Sequence, residues 1–129
     1  MNKKIINPWK WQDQRNYVQA IEISGTQKIL HISGQTAIDQ DGNLSQDPLD
    51  RQIQQSIQNL TEVLVTSNYP LSSLIKLTIY STDLNELYPH FDLIQQWIKE
   101  NEIVTTLTVL EVKNLFGNLK IEIDAIAAF

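Results

Sequence analysis

Few side chains in this sequence could do chemistry. Cysteine is absent, which excludes disulfides, thiolate nucleophiles and Cys-ligated zinc or iron–sulfur centres. His31 and His90 are the only imidazoles, so a multi-histidine metal site would need carboxylates or a second subunit. His31 alternates within a strand and reads as a structural histidine; His90 follows Pro89 near a helix start. The densest arrangement is Lys120-Ile121-Glu122-Ile123-Asp124. There Glu122 and Asp124 share one strand face, and two close acids can raise the pKa of one of them. Guanidinium is scarce: Arg15 and Arg51 are the only two. Thr105, Thr106 and Thr108 could donate hydroxyls to a ligand, although threonine is also simply a good strand residue.

Periodicity supplies the elements that must hold these groups. Val18 to Ile23 alternates, Ser24-Gly25 turns the chain, and Lys28–Ser33 returns, which predicts a hairpin. Gly34 follows, and a loop centred on Asp41-Gly42, with room for an extra strand in 35–45, leads to a helix. Asp47 is its predicted N-cap, Pro48 its first helical position, and Asp50 suits the positive end of the dipole. Ile53, Ile57, Leu60 and Leu64 make one apolar stripe; Gln52, Gln54, Gln55, Gln58 and Asn59 take the predicted wet faces. Asn68 and Pro70 end the helix. A strand covers Ile75 to Tyr80. A second helix carries Leu87, Phe91, Ile94 and Ile98, with Pro89 in its first turn. Trp97 on that helix is core or helix-edge packing. Strands from Val104 to Val112 and from Leu119 to Phe129 close the chain around a turn at Gly117-Asn118.

The order ββ–α–β–α–ββ, in one domain spanning 1–129, predicts an α+β fold with both helices on one face of a single sheet. Val18, Ala20, Thr78, Tyr80, Ile121 and Ile123 are expected on the other face. No helix is left to cover them, so copies of the chain joined in a closed ring should. Any pocket would then lie at the subunit boundary. Trp9 and Trp11, flanking Lys10, are read as anchoring the N-terminal segment, with a lid or docking on the next subunit as the other options. The formal charge is −5, and no stretch clusters cations beyond Lys3-Lys4, so nucleic acid is not the expected partner. No stretch approaches the roughly 20 apolar residues a bilayer requires. With no export signal at the start and no disulfides, the expected location is the cytoplasm.

Four stretches together resemble the Rid family (RidA/YjgF, also labelled endoribonuclease L-PSP or translation-initiation inhibitors). They are Asn16-Tyr17-Val18-Gln19-Ala20, Ile32-Ser33-Gly34-Gln35, Thr78-Ile79-Tyr80-Ser81-Thr82-Asp83-Leu84, and Lys120 to Ala127. The resemblance implies a chorismate-mutase-like fold and a homotrimer with three small-molecule pockets between subunits. It also implies hydrolysis of reactive 2-imino acids and their enamines to 2-keto acids and ammonia, with no metal or cofactor.

Carried over position by position, the resemblance makes Tyr17, Ser33 and Gly34 pocket residues and Glu122 the group that handles water or a proton. The family's carboxylate-holding arginine falls at Leu107, and the segment from Ile103 to Val112 holds no arginine. A position that is often cysteine falls at Val109, and a pocket position that is commonly asparagine falls at Phe91. The chain therefore resembles a Rid subgroup lacking the deaminase arginine. Arg15, two residues before Tyr17, could reach over the pocket mouth in its place; a solvated loop arginine is the plainer reading. Two function classes follow. One is a cofactor-free hydrolase of imines or enamines; the alternative is a non-catalytic trimer that binds a metabolite or a client.

Overall fold

Helix α1 (Leu49–Thr66) turns Leu49, Ile53, Leu60 and Leu64 onto the sheet, all of them buried. Ile53, Leu60 and Leu64 of the periodic stripe thus do what their spacing predicts, and Ile57, the fourth, is half-buried at the edge of the core. In this computed structural model, which describes residues 1–129, the strands are β1 (Asn2–Ile6), β2 (Ala20–Ser24), β3 (Ile29–Thr36), β4 (Leu74–Ser81), β5 (Thr106–Glu111) and β6 (Ile121–Ala128). Strands β3, β6, β4 and β5 lie side by side in that order. β6 is antiparallel to both of its neighbours, and β4 runs parallel to β5. The parallel step needs a crossover, supplied by helices α2 (Leu84–Leu87) and α3 (Phe91–Glu100). Ile94, Trp97 and Ile98 of α3 meet Leu77, Ile79, Ile121 and Ile123 of the sheet in one core. No helix is long and apolar enough to cross a membrane.

Four local expectations are corrected. The hairpin of β2 with β3 does not form as a ladder: β2 pairs with β1, from Asn2–Ser24 to Ile6–Ala20, so the first residues are a strand. Between the two, the Thr26 hydroxyl donates to the Lys28 carbonyl at 3.0 Å, and Lys28 exchanges backbone bonds with Phe129 at 3.2 and 3.1 Å. The chain therefore enters β3 already paired to β6. Pro48, extended at φ −64° and ψ 165°, is the residue before α1, and Asp47 does not cap it; the Asp47 carbonyl instead accepts from the Gln52 amide at 3.0 Å. The second helix is broken at a 3-10 turn, Tyr88–His90, because Pro89 has no N–H to continue the ladder. Asp83 caps the short first piece, accepting from the Glu86 N–H at 3.2 Å. In the 35–45 loop the extra strand is reduced to a single bridge between Ile38 and Leu44.

The amide-rich side of α1 is also more than a wet face. Gln52 is 3% exposed and its carbonyl oxygen accepts from the Lys120 N–H at 2.9 Å, tying the helix start to β6. Asn59 donates both amide hydrogens to the loop, to the carbonyls of Thr36 at 2.8 Å and Ile38 at 2.7 Å. These bonds satisfy backbone acceptors just where β3 ends. Asn59→Ala is expected to cost about 1–3 kcal/mol in urea denaturation, because two carbonyls lose their donors. Gln58→Ala, on the exposed neighbour, should stay within about 0.5 kcal/mol.

Candidate functional site

Strand alternation divides the chemistry-bearing residues into two groups. In β6, Ile121, Ile123, Ala125 and Ala127 belong to the helix-covered core, so Glu122, Asp124 and Ile126 face the other way. This corrects the expectation that Ile121 and Ile123 line the open face: the apolar parity is taken by the helices, and the acids are what remains. On β4, Thr78 pairs with Asp124 and Tyr80 with Glu122. On β5, Leu107 and Val109 pack against the core, leaving Thr106, Thr108 and Leu110 on the open side.

Glu122 lies directly over Gly34. A Cβ on Gly34 would stand 2.6 Å from the Glu122 Oε2, so no larger residue fits while that side chain holds its place. A register shift in β3 between Ile32 and Gln35 brings Gly34 to this position. Ser33 beside it is exposed. Two residues along the face, the Tyr80 phenol donates to Asp124 Oδ2 at 3.0 Å. That bond holds the Tyr80 pKa above its ordinary value, aided by desolvation and by the negative charges of Asp124 and Glu122. Lys120 does not pair with Glu122; it bonds Glu86 at 2.8 Å, half exposed, in the chain's one ion pair. No three His, Asp or Glu side chains converge as metal ligands.

The second group gathers between α3 and the start of β5. Tyr17 is half-buried there: the next residue, Val18, donates its N–H to the Thr105 carbonyl at 3.0 Å. Asn16 turns the chain into Tyr17 at φ +63°, a left-handed conformation that asparagine tolerates. Phe91, Leu107 and Val109 are half-buried and pack on the core. The Arg15 carbonyl accepts from the Gln95 amide at 3.4 Å, while its guanidinium lies 5.3 Å from the centre of the Trp11 ring. Arg15 is thus held on an indole, not over Leu107.

Tyr17, Phe91, Leu107 and Val109 therefore lie toward the β5 edge, while Glu122 on β6 is two strands away and Gly34 on β3 three, on the helix-free face. No single chain brings them together. A depression of about 1070 Å³ runs instead between α1 and the end of β3, lined by Gly34, Gln35, Asp39, Asn59 and Glu62 among others. It contains only Gly34 of the sequence-predicted set. Sequence reasoning placed Asp124 beside Glu122 but missed Tyr80 as its donor. The signal was available: Tyr80 and Asp124 share a face on neighbouring strands.

The family model described as endoribonuclease L-PSP matches residues 11–129. A RutC family protein of Buchnera aphidicola is 34% identical over 112 residues, covering 86% of this chain and 84% of its own length. A Rid-family protein of Yersinia pestis, YyfB, described as of unknown function, superposes with a TM-score of 0.85 at 28% identity, covering all of both chains. TdcF of Escherichia coli, solved with bound serine, superposes with a TM-score of 0.72 at 28% identity over 88% of this chain and 87% of its own. The α+β architecture is that of the chorismate-mutase-like fold.

Two outcomes test the open face. Gly34→Ala must turn the flexible end of Glu122 aside, so it should cost about 0.5–1 kcal/mol. In a Glu122→Ala background the same change should cost nothing, a coupling that a double-mutant cycle reads directly. The second concerns Tyr80. The folded chain keeps this phenol protonated where the unfolded chain, near its ordinary value of 10.0, has released it. The stability it contributes is complete below that value and fades as pH climbs through the folded one. An ultraviolet phenolate titration should show one late-ionising tyrosine, lost in Tyr80→Phe and moved down toward the ordinary range in Asp124→Asn.

Proposed function

The chain belongs to the endoribonuclease L-PSP family, the Rid (YjgF) proteins, and on that premise we propose that it acts as a homotrimer with small-molecule pockets at the seams between copies. The observation that carries this reading is the division of the site. Tyr17, Phe91, Leu107 and Val109 lie near the β5 edge, Gly34 and Glu122 lie on the open face, and a second copy is needed to bring one group to the other. TdcF, a relative 28% identical over 113 residues, carries a name that makes it a candidate reactive intermediate deaminase. The proposed reaction class is of that kind: hydrolysis of an imine or enamine, without cofactor, in the cytoplasm.

The residues set what the pocket takes. A 2-imino acid brings a carboxylate, which a guanidinium binds with bidentate geometry. Leu107 offers none. Desolvating the carboxylate without a charged partner costs several kcal/mol, and a charge-assisted bond of about 1.5–3 kcal/mol is forgone. The substrate is therefore an imine or enamine lacking the amino-acid carboxylate, its apolar part against Phe91, Leu107 and Val109. Glu122 accepts a proton from water as the hydroxide adds to the imine carbon. It passes that proton to the nitrogen, giving a neutral carbinolamine, then takes the hydroxyl proton and delivers it to the same nitrogen as the C–N bond breaks, leaving a carbonyl and ammonia. Tyr80 holds Asp124 at 3.0 Å, so Glu122 is the open-face acid without a hydrogen-bond partner of its own.

A coupled assay that generates 2-aminoacrylate and times pyruvate release tests the reading. The parent chain should accelerate release little over buffer, and Leu107→Arg should gain activity. An imine without a carboxylate should be hydrolysed by the parent, with Glu122→Gln slower by about 100-fold or more. No acceleration of either substrate by the parent or by Leu107→Arg would leave the binding-only alternative, which Leu107 and Val109 themselves favour.

A further inference from the structure

Trp9 and Trp11 are 54% and 55% exposed, although the segment that carries them is well braced. The Gln19 N–H donates to Asn7 at 2.8 Å, the Arg15 carbonyl is held by Gln95, and Gln12 between them is fully buried. The two indoles stack on each other, centroids 6.2 Å apart and planes 21° from parallel, with the Arg15 guanidinium on Trp11. Indoles that anchored this segment to its own chain would be turned inward. These are turned outward by a segment secured through polar contacts. Lys10 lies between them, and neither Lys10 nor Arg15 has an acidic partner. Asp13 is the segment's one acid, so this arm, residues 9–15, carries two indoles and a net charge of +1.

The helix-free sheet face is its complement. Glu122 and Asp124 carry two negative charges there with no cation bound to either, and the face's own basic groups, Lys76 and His31, pair with neither. Leu110 at 44% and Ile29 at 51% exposed, with half-buried Ile126, supply apolar surface around the acids. Within one chain the arm lies against α3, so it does not cover this face itself.

We propose that residues 9–15 of one protomer dock on the helix-free sheet face of the next, the indole pair against Leu110 and Arg15 toward Glu122 and Asp124. The occupant is a second copy because arm and face are opposite in charge, both are unpartnered, and the Tyr17 group beside the arm is incomplete without the Glu122 group on the face. The inference rests on the homotrimer reading and deepens it by naming what holds each seam. Trp and Arg are the residue types that most often dominate interface energy, and buried charge pairs fix the docking register. Arg15 of one copy then brings a guanidinium beside Glu122 of another.

Light scattering at low micromolar concentration, with circular dichroism to verify folding, reads the outcome. Trp9→Ala/Trp11→Ala should raise the dissociation constant by about 30-fold or more, the effect of losing one strong anchor. Arg15→Glu should weaken assembly, and adding Asp124→Lys should restore it. In the parent, acrylamide quenching of tryptophan should fall as the concentration rises through the assembly range. A trimer whose stability and quenching are untouched by these variants would overturn the docking proposal and leave the trimer standing. A parent chain that stays a single protomer at every concentration would overturn both.

Discussion

A strand sends alternate side chains to opposite faces, and in β6 that alternation separates the core from the chemistry by one residue. Ile121, Ile123, Ala125 and Ala127 are drawn to the helices by the hydrophobic demand of α1 and α3. Glu122 and Asp124 are thereby delivered to the open face with no further instruction. A slip of one residue would bury both carboxylates under the helices without partners, at a cost no domain of this size tolerates. Because β6 is paired on both sides, that register is shared by β3 and β4, and Gly34 and Tyr80 are fixed relative to the acids by the same constraint. The oily half of the strand thus positions the polar half.

That open face is not the apolar sheet surface that sequence alternation suggests. Two carboxylates, a phenol held protonated by one of them, a lysine and threonines share it with Leu110 and Ile126. In a chain of net charge −5, such a surface repels itself unless a cation is brought to it. The cations nearest in function are Lys10 and Arg15, presented on the indole-bearing arm rather than on the sheet. The physical reason to expect association therefore shifts from drying an apolar sheet toward pairing an anionic face with a cationic, aromatic projection.

Strand β5 records the other departure. Leu107 and Val109 take their place on the core like ordinary strand residues, and nothing polar stands in the position that the resemblance assigns to an arginine. In the proposed trimer, a pocket completed there by a neighbouring copy is apolar on one wall and acidic on the other. Such a combination favours a neutral, proton-accepting substrate over an anionic one, because the wall of Phe91, Leu107 and Val109 offers an anion no partner for the hydration it loses.

The residues themselves determined a good deal. Helical spacing marked α1, the position of Pro89 foretold a boundary near it, and four short stretches in register identified the family from the chain alone. The entry of the chain into β3 against β6, the burial of Gln52 and the anchoring of Asn59 were decided elsewhere. Each depends on a partner remote in sequence: Phe129 for Lys28, Lys120 for Gln52, Thr36 and Ile38 for Asn59. Which residues share a strand face is a local property and can be read along the chain. Which face the helices cover, and which side chain ends up over Gly34, are settled only when distant segments compete for the same buried volume.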